Sequence, residues 1–358
     1  MRFVHVSDIH LFKSMESGKL PSAAASQYRR EIFAAFSEVV SRAKNADVLL
    51  ISGDMVQMDC ARLSDIKRIY ELFERIPDTK VFLSCGNHDY LTPGSLYLAT
   101  ARPENLFIFP DSLTSVYLED INTRVWGFSW ARPVYDSMPF ELPELNKNEI
   151  NLMCLHGDAL SARGPYMPLD AKAFARAGFD YAALGHIHKP QRINDSAFYA
   201  GSMAPLDFSE AGRHGFFSGE ADTGKLSVSF TPVAIREFED IAVDVTGMES
   251  HAAIVEAARE KIKDPSRDFV RMTFTGARGE DIDISEVEMS LGEDMYCPVF
   301  ADDTVADYDL DSLFRENEGN VIGLFIQEYR QKAETDKTAR AALYAGLDAL
   351  LSSGRNDS

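Results

Sequence analysis

Two histidines stand one residue apart in the stretch LGHIHKP, residues 184–190, directly after a glycine. In a strand their rings would point to opposite faces, whereas in a loop just past a strand both rings can converge on one point. The apolar run FDYAALG that precedes them ends at Gly185, which favours the loop. His186 and His188 are therefore candidate metal ligands, although an HxH pair by itself is a weak signal.

Residues of the same kind follow each of the other short apolar strands in the first two-thirds of the chain. Ligands of an open α/β sheet bind beyond the carboxyl ends of its strands, where loops converge, so these residues predict a common site. Five of the eight histidines fall at such positions. Besides the pair above, the candidates are Asp8 and His10 (SDIH), Asp54 (SGD), Asn87, His88 and Asp89 (GNHD), and His156 (LHGD).

The mixture of ligand types indicates the chemistry. Without His88, the strand-end ligands are two aspartates, one asparagine and four histidines. Oxygen and imidazole ligands together suit Mn²⁺, Fe or Zn, whereas Mg²⁺ takes few or no histidines. Seven ligands exceed what one tetrahedral ion uses, which predicts two divalent ions, about 3.5–4 Å apart, with one carboxylate bridging them. Such a pair generates a hydroxide and clamps the attacking and leaving oxygens of an in-line displacement at phosphorus, which predicts phosphoester hydrolysis.

The elements that must position these residues are strands that alternate with helices over residues 1–236, the pattern of an α/β domain. The helical segment REIFAAFSEVVSRA has its apolar residues at helical spacing, and VYLED with TRVWGFSW predicts a hairpin. A β-rich stretch containing HGFFSGEA and KLSVSFTPV ends this domain. The strand candidates that precede the site residues are RFVHVSD, DVLLISGD, KVFLSCGNHD, NLMCLHGD and YAALGH.

The remainder of the chain predicts a small acidic α/β domain at residues 237–308 and a helical tail at residues 309–358. The small domain has a helix, SHAAIVEAAREKI, with Ser250 as its N-cap, then the strand DFVRMTFTG and an acidic stretch. Two amphipathic helices are predicted for the tail. Their apolar stripes either pack within their own domain or form a docking surface for another protein.

The charge of the chain is divided unevenly. Residues 1–236 carry 24 Lys and Arg against 28 Asp and Glu, whereas residues 237–358 carry 12 against 28. The acidic third should repel a free phosphate backbone, so any contact with nucleic acid must use local basic patches or the surface of a partner. The alternative interpretation is that the acidic excess keeps the protein soluble.

The remaining bulk features predict a cytoplasmic protein with no membrane association. The N-terminus, MRFVHVSD, enters a strand pattern directly without a signal peptide, and no apolar run approaches 18 residues. The four cysteines are scattered without a CxxC, which is typical of reduced cysteines in the cytosol.

Taken in order, the motifs DxH, GD, GNHD, H and GHxH resemble those of the calcineurin-like metallophosphoesterases over about residues 1–236. The resemblance implies a two-sheet αββα sandwich followed by a small capping domain and a helical tail. It also implies that His88 contacts the phosphate and helps the leaving oxygen depart, while Asp89 orients the His88 ring. One ion would be held by Asp8, His10, Asp54 and His188, and the other by Asp54, Asn87, His156 and His186, with Asp54 as the bridge.

Within that superfamily the chain resembles the SbcD-type DNA-repair nucleases. The resemblance lies in ALGHIHKPQ and in YAGSMAPLDFSEAGRHGFF, and it extends weakly to the whole chain. It implies Mn²⁺-dependent cleavage of DNA phosphodiesters, as an exonuclease or endonuclease, and an SbcC-like coiled-coil ATPase that docks at the tail. It further implies a homodimer formed through N-terminal helices, for which the alternative is that FAAFSEVV is buried inside the domain.

Two features depart from the nuclease pattern. Gln57 stands where some nucleases have a second phosphate-contacting histidine, and the capping region is acidic where a DNA clamp would be basic. The alternative function is a stand-alone metallophosphoesterase acting on a small nucleotide or a phosphoprotein. A third hypothesis is a metal-binding scaffold whose tail recruits an ATPase.

Overall fold

The computed structural model describes residues 1–15, 20–279, 281–333 and 335–355. The chain divides into two compact units, Met1–Glu237 and Phe238–Ser358. No helix among the described residues is long and apolar enough to span a bilayer.

The first unit contains two six-stranded sheets, with strand orders β12-β11-β1-β2-β3-β4 and β5-β6-β7-β8-β10-β9. Its helices are α1 (Ser22–Ala43), α2 (Leu63–Glu74) and α3 (Ala171–Ala177). Its strands are β1 (Arg2–Val6), β2 (Val48–Ser52), β3 (Lys80–Ser84), β4 (Leu106–Ile108), β5 (Thr114–Leu118), β6 (Thr123–Gly127), β7 (Ile150–His156), β8 (Tyr181–Gly185), β9 (Gln191–Arg192), β10 (Ala197–Tyr199), β11 (Gly215–Asp222) and β12 (Lys225–Pro232).

The strands that carry the site residues run parallel within each sheet. In the first sheet β1, β2, β3 and β4 pair in parallel, and in the second sheet β6, β7 and β8 do so. Parallel strands end at the same edge, so the loops after them are brought together. The predicted hairpin is confirmed, because β5 and β6 pair antiparallel with Tyr117 opposite Arg124.

The two sheets pack face to face over an apolar core. Phe3, Leu50 and Phe82 of the first sheet share this core with Leu152 and Tyr181 of the second, and all five are at most 1% exposed. Fully burying side chains of this size contributes roughly 1.5–3 kcal/mol each. The predicted two-sheet α/β sandwich is confirmed.

The apolar stripe of α1 is buried within the first unit. Phe36 and Val39 are fully buried, and the Phe36 ring lies 6.2 Å from that of Phe73 on α2. The structure therefore shows FAAFSEVV buried inside the first unit, which is the alternative to its use in a dimer. A homodimer through this region stays a prediction.

A polar bridge crosses the core between the sheets. His5 of β1 is fully buried, with Nδ1 2.8 Å from the Tyr181 hydroxyl and Nε2 2.7 Å from Ser52 Oγ. Burial lowers the pKa of His5 to about 3. The histidine is thus a neutral structural group.

This bridge predicts acid sensitivity of the fold. In the unfolded state His5 takes up a proton below its ordinary pKa of about 6.5, whereas in the folded state its ring stays neutral until about pH 3. His5 therefore lowers the free energy of unfolding by about 1.4 kcal/mol per pH unit as the pH falls from 6 towards 4. Urea titrations of wild-type protein and His5→Gln should show a steeper pH dependence for wild type, and equal slopes would contradict the assignment.

The second unit contains a parallel three-stranded sheet in the order β13-β14-β15. Ser250 is an N-cap as predicted, because its Oγ accepts from the Ala253 backbone N–H at 3.3 Å. The elements are β13 (Phe238–Asp244), α4 (His251–Arg259), β14 (Phe269–Arg278), α5 (Ile284–Gly292), β15 (Cys297–Ala306), α6 (Leu310–Glu316), α7 (Val321–Ala333) and α8 (Lys337–Arg355).

Two expectations about the second unit require correction. The acidic stretch before residue 308 contains α5 and β15. Since β15 lies at the edge of the sheet, it tolerates charged residues such as Asp302 and Asp303. The described part of the tail contains three helices rather than two, since α6 spans only seven residues and is too short for its periodicity to be recognised. The division of this unit at residue 308 stays a prediction.

Candidate metal centre

The loops after β1 and β2 run side by side at the carboxyl edge of the first sheet. The Asp8 backbone N–H donates to the Gly53 carbonyl at 3.1 Å, and that of His10 donates to the Asp54 carbonyl at 2.9 Å. The second sheet joins at the same place, because the His186 N–H donates to both carboxylate oxygens of Asp8 at 3.0 Å. These hydrogen bonds bring residues from distant parts of the chain to one point.

Backbone strain is concentrated at this point. Asp8, His10, Asp54 and His186 all have positive φ angles, of 48°, 46°, 50° and 106°. A residue other than glycine in such a conformation costs on the order of 1–3 kcal/mol and persists only where surrounding structure enforces it. Strain at four of the predicted metal ligands is typical of a functional site.

Ligand atoms of six predicted residues converge, and Asp54, which is one of the six, lies between the others. Its Oδ2 lies 3.4 Å from His156 Nε2 and 3.8 Å from His10 Nε2. Asn87 Oδ1 joins on the His156 side, 3.0 Å from His156 Nε2. Groups with ligand atoms within 4.8 Å of one another are Asp8–His10–His188, Asp8–Asp54–His156 and His10–Asp54–His88.

The Nδ1 atom of His10 is committed to a hydrogen bond away from the site. It lies 3.3 Å from Gln57 Oε1, while Gln57 Nε2 donates to Asp59 Oδ1 at 2.8 Å. Since the amide oxygen can only accept, His10 Nδ1 carries the proton and Nε2 presents a lone pair to the site. Gln57 thus orients a metal ligand, and its amide oxygen is not directed at a phosphate.

Two further histidines are held in the same way. His156 Nδ1 faces the Ser52 carbonyl at 3.1 Å, and His188 Nδ1 faces Glu210 Oε1 at 2.6 Å. Both partners are acceptors, so in the neutral form of each ring Nδ1 carries the proton and Nε2 presents its lone pair to the site. An amide, a carbonyl and a carboxylate therefore set the same tautomer on three separate rings, as metal-binding histidines require.

This arrangement fits a divalent cation. The Nε2 atoms of His10 and His188 are 3.3 Å apart, so one cation can accept the lone pairs of both neutral rings. Ligands held about 2.1 Å from an ion stand about 3.0–3.4 Å apart, depending on coordination geometry. The separations of 3.0, 3.3 and 3.4 Å at this site fall in that range.

The charges of the site also favour cation binding. Burial, together with the nearby carboxylates of Asp89 and Asp8, raises the pKa of Asp54 to about 7. Burial lowers the pKa of His10 well below 6.5, which keeps its ring neutral and able to bind a metal. The pKa of His188 behaves in the opposite way: burial would lower it, but Glu210 and Asp8 raise it to about 9.

Glycines beside the ligands make room for His156. A Cβ on Gly53, whose φ is +90°, would lie 2.2 Å from His156 Nδ1. A Cβ on Gly86 would lie 2.4 Å from Asp54 Oδ1 and 2.9 Å from the His156 ring. The glycines of the GD and GNHD motifs are therefore required by close packing around one ligand.

His186 and His88 differ from the six converging ligands. The His186 ring lies between those of His156 and Tyr166, at 5.4 and 4.7 Å, and belongs to none of the groups of ligand atoms found among the described residues. Its role as a ligand stays a prediction. The exposed His88 ring lies 4.9 Å from that of His10, and its nitrogen reaches His10 and Asp54, so His88 faces the same site from its open side.

The predicted role of Asp89 is wrong in its detail. Its Oδ1 accepts from the backbone N–H groups of Asp54 and Gly86, at 3.2 and 2.7 Å. Its Oδ2 accepts from the Met55 N–H and the Tyr97 hydroxyl, at 3.0 and 2.8 Å. With four donors on its two oxygens, this buried carboxylate holds the Asp54 loop rather than the His88 ring.

Glu210 and Lys13 were not among the predicted site residues. Besides His188, Glu210 binds the Ser202 hydroxyl and the Leu206 N–H through Oε2, at 2.8 and 3.1 Å. Its only sequence signal is its place in the segment YAGSMAPLDFSEAGRHGFF. Burial, and then the charge of Lys13, lowers the pKa of His88, so Lys13 acts on that ring electrostatically.

The contact between Glu210 and His188 predicts that metal binding releases a proton. With a pKa of about 9, His188 is protonated at pH 7.5 and must release that proton when it binds a metal. Glu210→Gln keeps an acceptor but removes the charge, so the pKa of His188 falls and about one proton fewer is released. Affinity should also fall by about 10–100-fold. Calorimetry of Mn²⁺ binding in buffers of different ionisation enthalpy measures both, and unchanged proton release would refute the linkage.

A two-sheet sandwich that gathers aspartates and histidines at its strand ends defines a class of metal-dependent phosphoester hydrolases. Residues 1–190 match the model of the calcineurin-like phosphoesterase family, and the chain belongs to that family. Membership implies that the protein hydrolyses phosphoesters with the help of divalent metals.

Two curated relatives are each 25% identical to this chain. One is the uncharacterized metallophosphoesterase YhaO of Bacillus subtilis (strain 168), aligned over 299 residues that cover 78% of this chain and 73% of the relative. The other is the DNA double-strand break repair protein Mre11 of Methanopyrus kandleri, aligned over 374 residues that cover 88% of this chain and 76% of the relative.

Proposed function

We propose that this protein is a phosphodiesterase with two divalent metal ions, preferably Mn²⁺, that acts as a DNA nuclease of the SbcD type. The observation that carries the proposal is the position of Asp54, whose Oδ2 lies between His10 and His156, each with its Nε2 lone pair directed inward. One ion would be held by Asp8, His10, Asp54 and His188, and the other by Asp54, Asn87 and His156, with His186 as a further ligand.

The residues around these ligands have separate tasks. When bound, the ions would supply an activated water and would polarise the phosphoryl oxygens. His88 faces the site from its open side and is placed to contact the phosphate and to protonate the leaving oxygen. Lys13 adds a positive charge near that ring, where an anionic diester would bind.

A surface groove next to His188 supports DNA as the substrate. This basic groove has a volume of about 710 Å³, and Lys189, Arg192 and Arg213 line it. All three side chains are exposed, so they can follow a phosphate backbone even though the protein as a whole is acidic. The repair function of the Mre11 relative supports the same substrate.

The alternative function is a stand-alone phosphoesterase for small nucleotides or phosphoproteins, and the substrate distinguishes the two. The full chain with Mn²⁺ is incubated with labelled linear single- and double-stranded DNA and, separately, with p-nitrophenyl phosphate. We expect degradation of DNA that a chelator stops, and little turnover of the monoester. Efficient monoester hydrolysis with intact DNA would establish the alternative.

The SbcC-like coiled-coil ATPase and a homodimer remain part of the proposal. In α7, Val321 and Leu324 are 61% and 62% exposed, which suits a contact with another protein. Leu324→Glu should weaken binding of a purified ATPase of this type without changing DNA cleavage by the isolated chain. Equal binding by wild type and variant would exclude this face of the tail.

A further inference from the structure

A pocket of about 630 Å³ opens directly beside His88. We call it the side pocket: it lies between residues 57–61, which connect β2 to α2, and residues 87–96, which follow β3. The two walls are joined by a hydrogen bond from the Met58 N–H to the His88 carbonyl at 3.3 Å. Its volume is within the roughly 300–1,000 Å³ of pockets that hold small organic ligands.

The side pocket differs from the basic groove in its charge. None of the described residues that line it is a lysine or an arginine, and Asp59 contributes a carboxylate. Away from His88 a phosphate would find no cationic side chain there, whereas an uncharged group with hydrogen-bond donors would be favoured beside Asp59. The side pocket adjoins His88 and the basic groove adjoins His188, so the two surfaces are suited to different parts of one substrate.

The side chains of the pocket suit a nucleoside. Tyr90 exposes 37% of its surface and Met58 is half-buried, so a flat aromatic and a polarisable thioether are available to the face of a base. Thr92 and Ser95 add hydroxyl groups, and Asp59 accepts from amino or hydroxyl donors. Stacking on an aromatic ring tolerates any base, since every base has a π-face.

We propose that the side pocket binds one nucleoside of the substrate, next to the phosphate held at the metal centre, by stacking its base on Tyr90. This inference rests on the proposed function for the placement of the phosphate. It does not depend on that function for the binding of the nucleoside itself. The proposal assigns Tyr90, Met58 and Asp59 a role in substrate binding rather than in the chemical step.

Two diesters with the same leaving group test the proposal by activity. The p-nitrophenyl ester of thymidine 5′-monophosphate carries a nucleoside, whereas methyl p-nitrophenyl phosphate carries a methyl group in its place. Tyr90→Ala should lower kcat/KM for the nucleoside ester by about tenfold, mainly through KM, and leave the methyl ester within about twofold. Tyr90→Phe keeps the stacking ring and should behave as wild type. An equal effect of Tyr90→Ala on both esters would overturn the proposal.

A binding measurement separates this inference from the proposed function. Saturation-transfer NMR with thymidine alone requires neither metal nor hydrolysis. Transfer to the base protons is expected for wild type and Tyr90→Phe and should be lost in Tyr90→Ala. If thymidine binds in this way but neither diester is hydrolysed, the site stands and the proposed function fails. If the diesters are hydrolysed while thymidine shows no transfer that depends on Tyr90, the site fails and the function stands.

Discussion

Replacement of Asp54 by asparagine is expected to reduce hydrolysis of methyl p-nitrophenyl phosphate by at least about 10³-fold. The Oδ2 atom of Asp54 lies 3.8 Å from His10 Nε2 and 3.4 Å from His156 Nε2, so the loss of this carboxylate removes charge that two neighbouring cations would share. A metal ion contributes several kcal/mol to the transition state, and about 4 kcal/mol corresponds to a factor of 10³. Calorimetry should show fewer than two Mn²⁺ ions per chain.

In the absence of metal, the same substitution should make the folded protein more stable. Because the pKa of Asp54 is raised to about 7 in the folded protein, the folded state holds a proton that the unfolded state releases near pH 4. The free energy of unfolding therefore falls as the pH rises from 4 to 7. In the presence of a chelator at pH 8, Asp54→Asn should be more stable than wild type by roughly 2–4 kcal/mol.

Asp120→Asn is the matched control for this experiment. Asp120 is an exposed carboxylate in the turn between β5 and β6, so its variant should keep the activity, metal stoichiometry and pH dependence of wild type. Retention of two ions and of activity within tenfold by Asp54→Asn would refute the assigned position of Asp54 between the ions.

The second large effect is expected at His88, and it should depend on the leaving group. A ring that protonates the leaving oxygen contributes about 10²–10⁴-fold when that oxygen is an alkoxide, as in DNA. A p-nitrophenolate leaves without protonation. His88→Asn should therefore slow DNA cleavage by about 10²–10⁴-fold and hydrolysis of methyl p-nitrophenyl phosphate by less than about tenfold.

Metal binding distinguishes this role of His88 from that of a ligand. His88→Asn should still bind two Mn²⁺ ions, because the six converging residues, Asp54 among them, are unchanged. His251→Asn, at the start of α4, changes the same residue type outside the predicted ligand set and should have no effect. Loss of an ion, or an equal loss of activity on both substrates, would show that His88 is a ligand instead.

Much of the metal centre could be recognised before the fold was known. A strand that ends in GD, GNHD or GHxH presents its polar residues at a sheet edge, and parallel strands bring such ends together. Asp8, His10, Asp54, Asn87, His156 and His188 converge as this rule predicts. The family assignment follows from the same motifs. Nuclease action and the ATPase partner depend on longer, weaker likenesses and stay proposals.

The acceptors that set the histidine tautomers could not be found in this way. The Ser52 carbonyl lies 104 positions from His156 in the chain, and Glu210 lies 22 positions from His188. No spacing rule connects such pairs, because they meet only where loops of both sheets fold onto one another. The same applies to Asp89, whose four donors come from three separate segments.

The amino-acid sequence by itself therefore determined which residue types follow each strand, and with them the metal chemistry and the family. Only the fold shows which atoms of those residues face one another, which groups hold them there, and that the side pocket and the basic groove lie beside them. The physical reason is that strand order and periodicity are local properties of the chain. Tautomers, pKa values and pocket charge are set by neighbours that only the packing of the two sheets brings into contact.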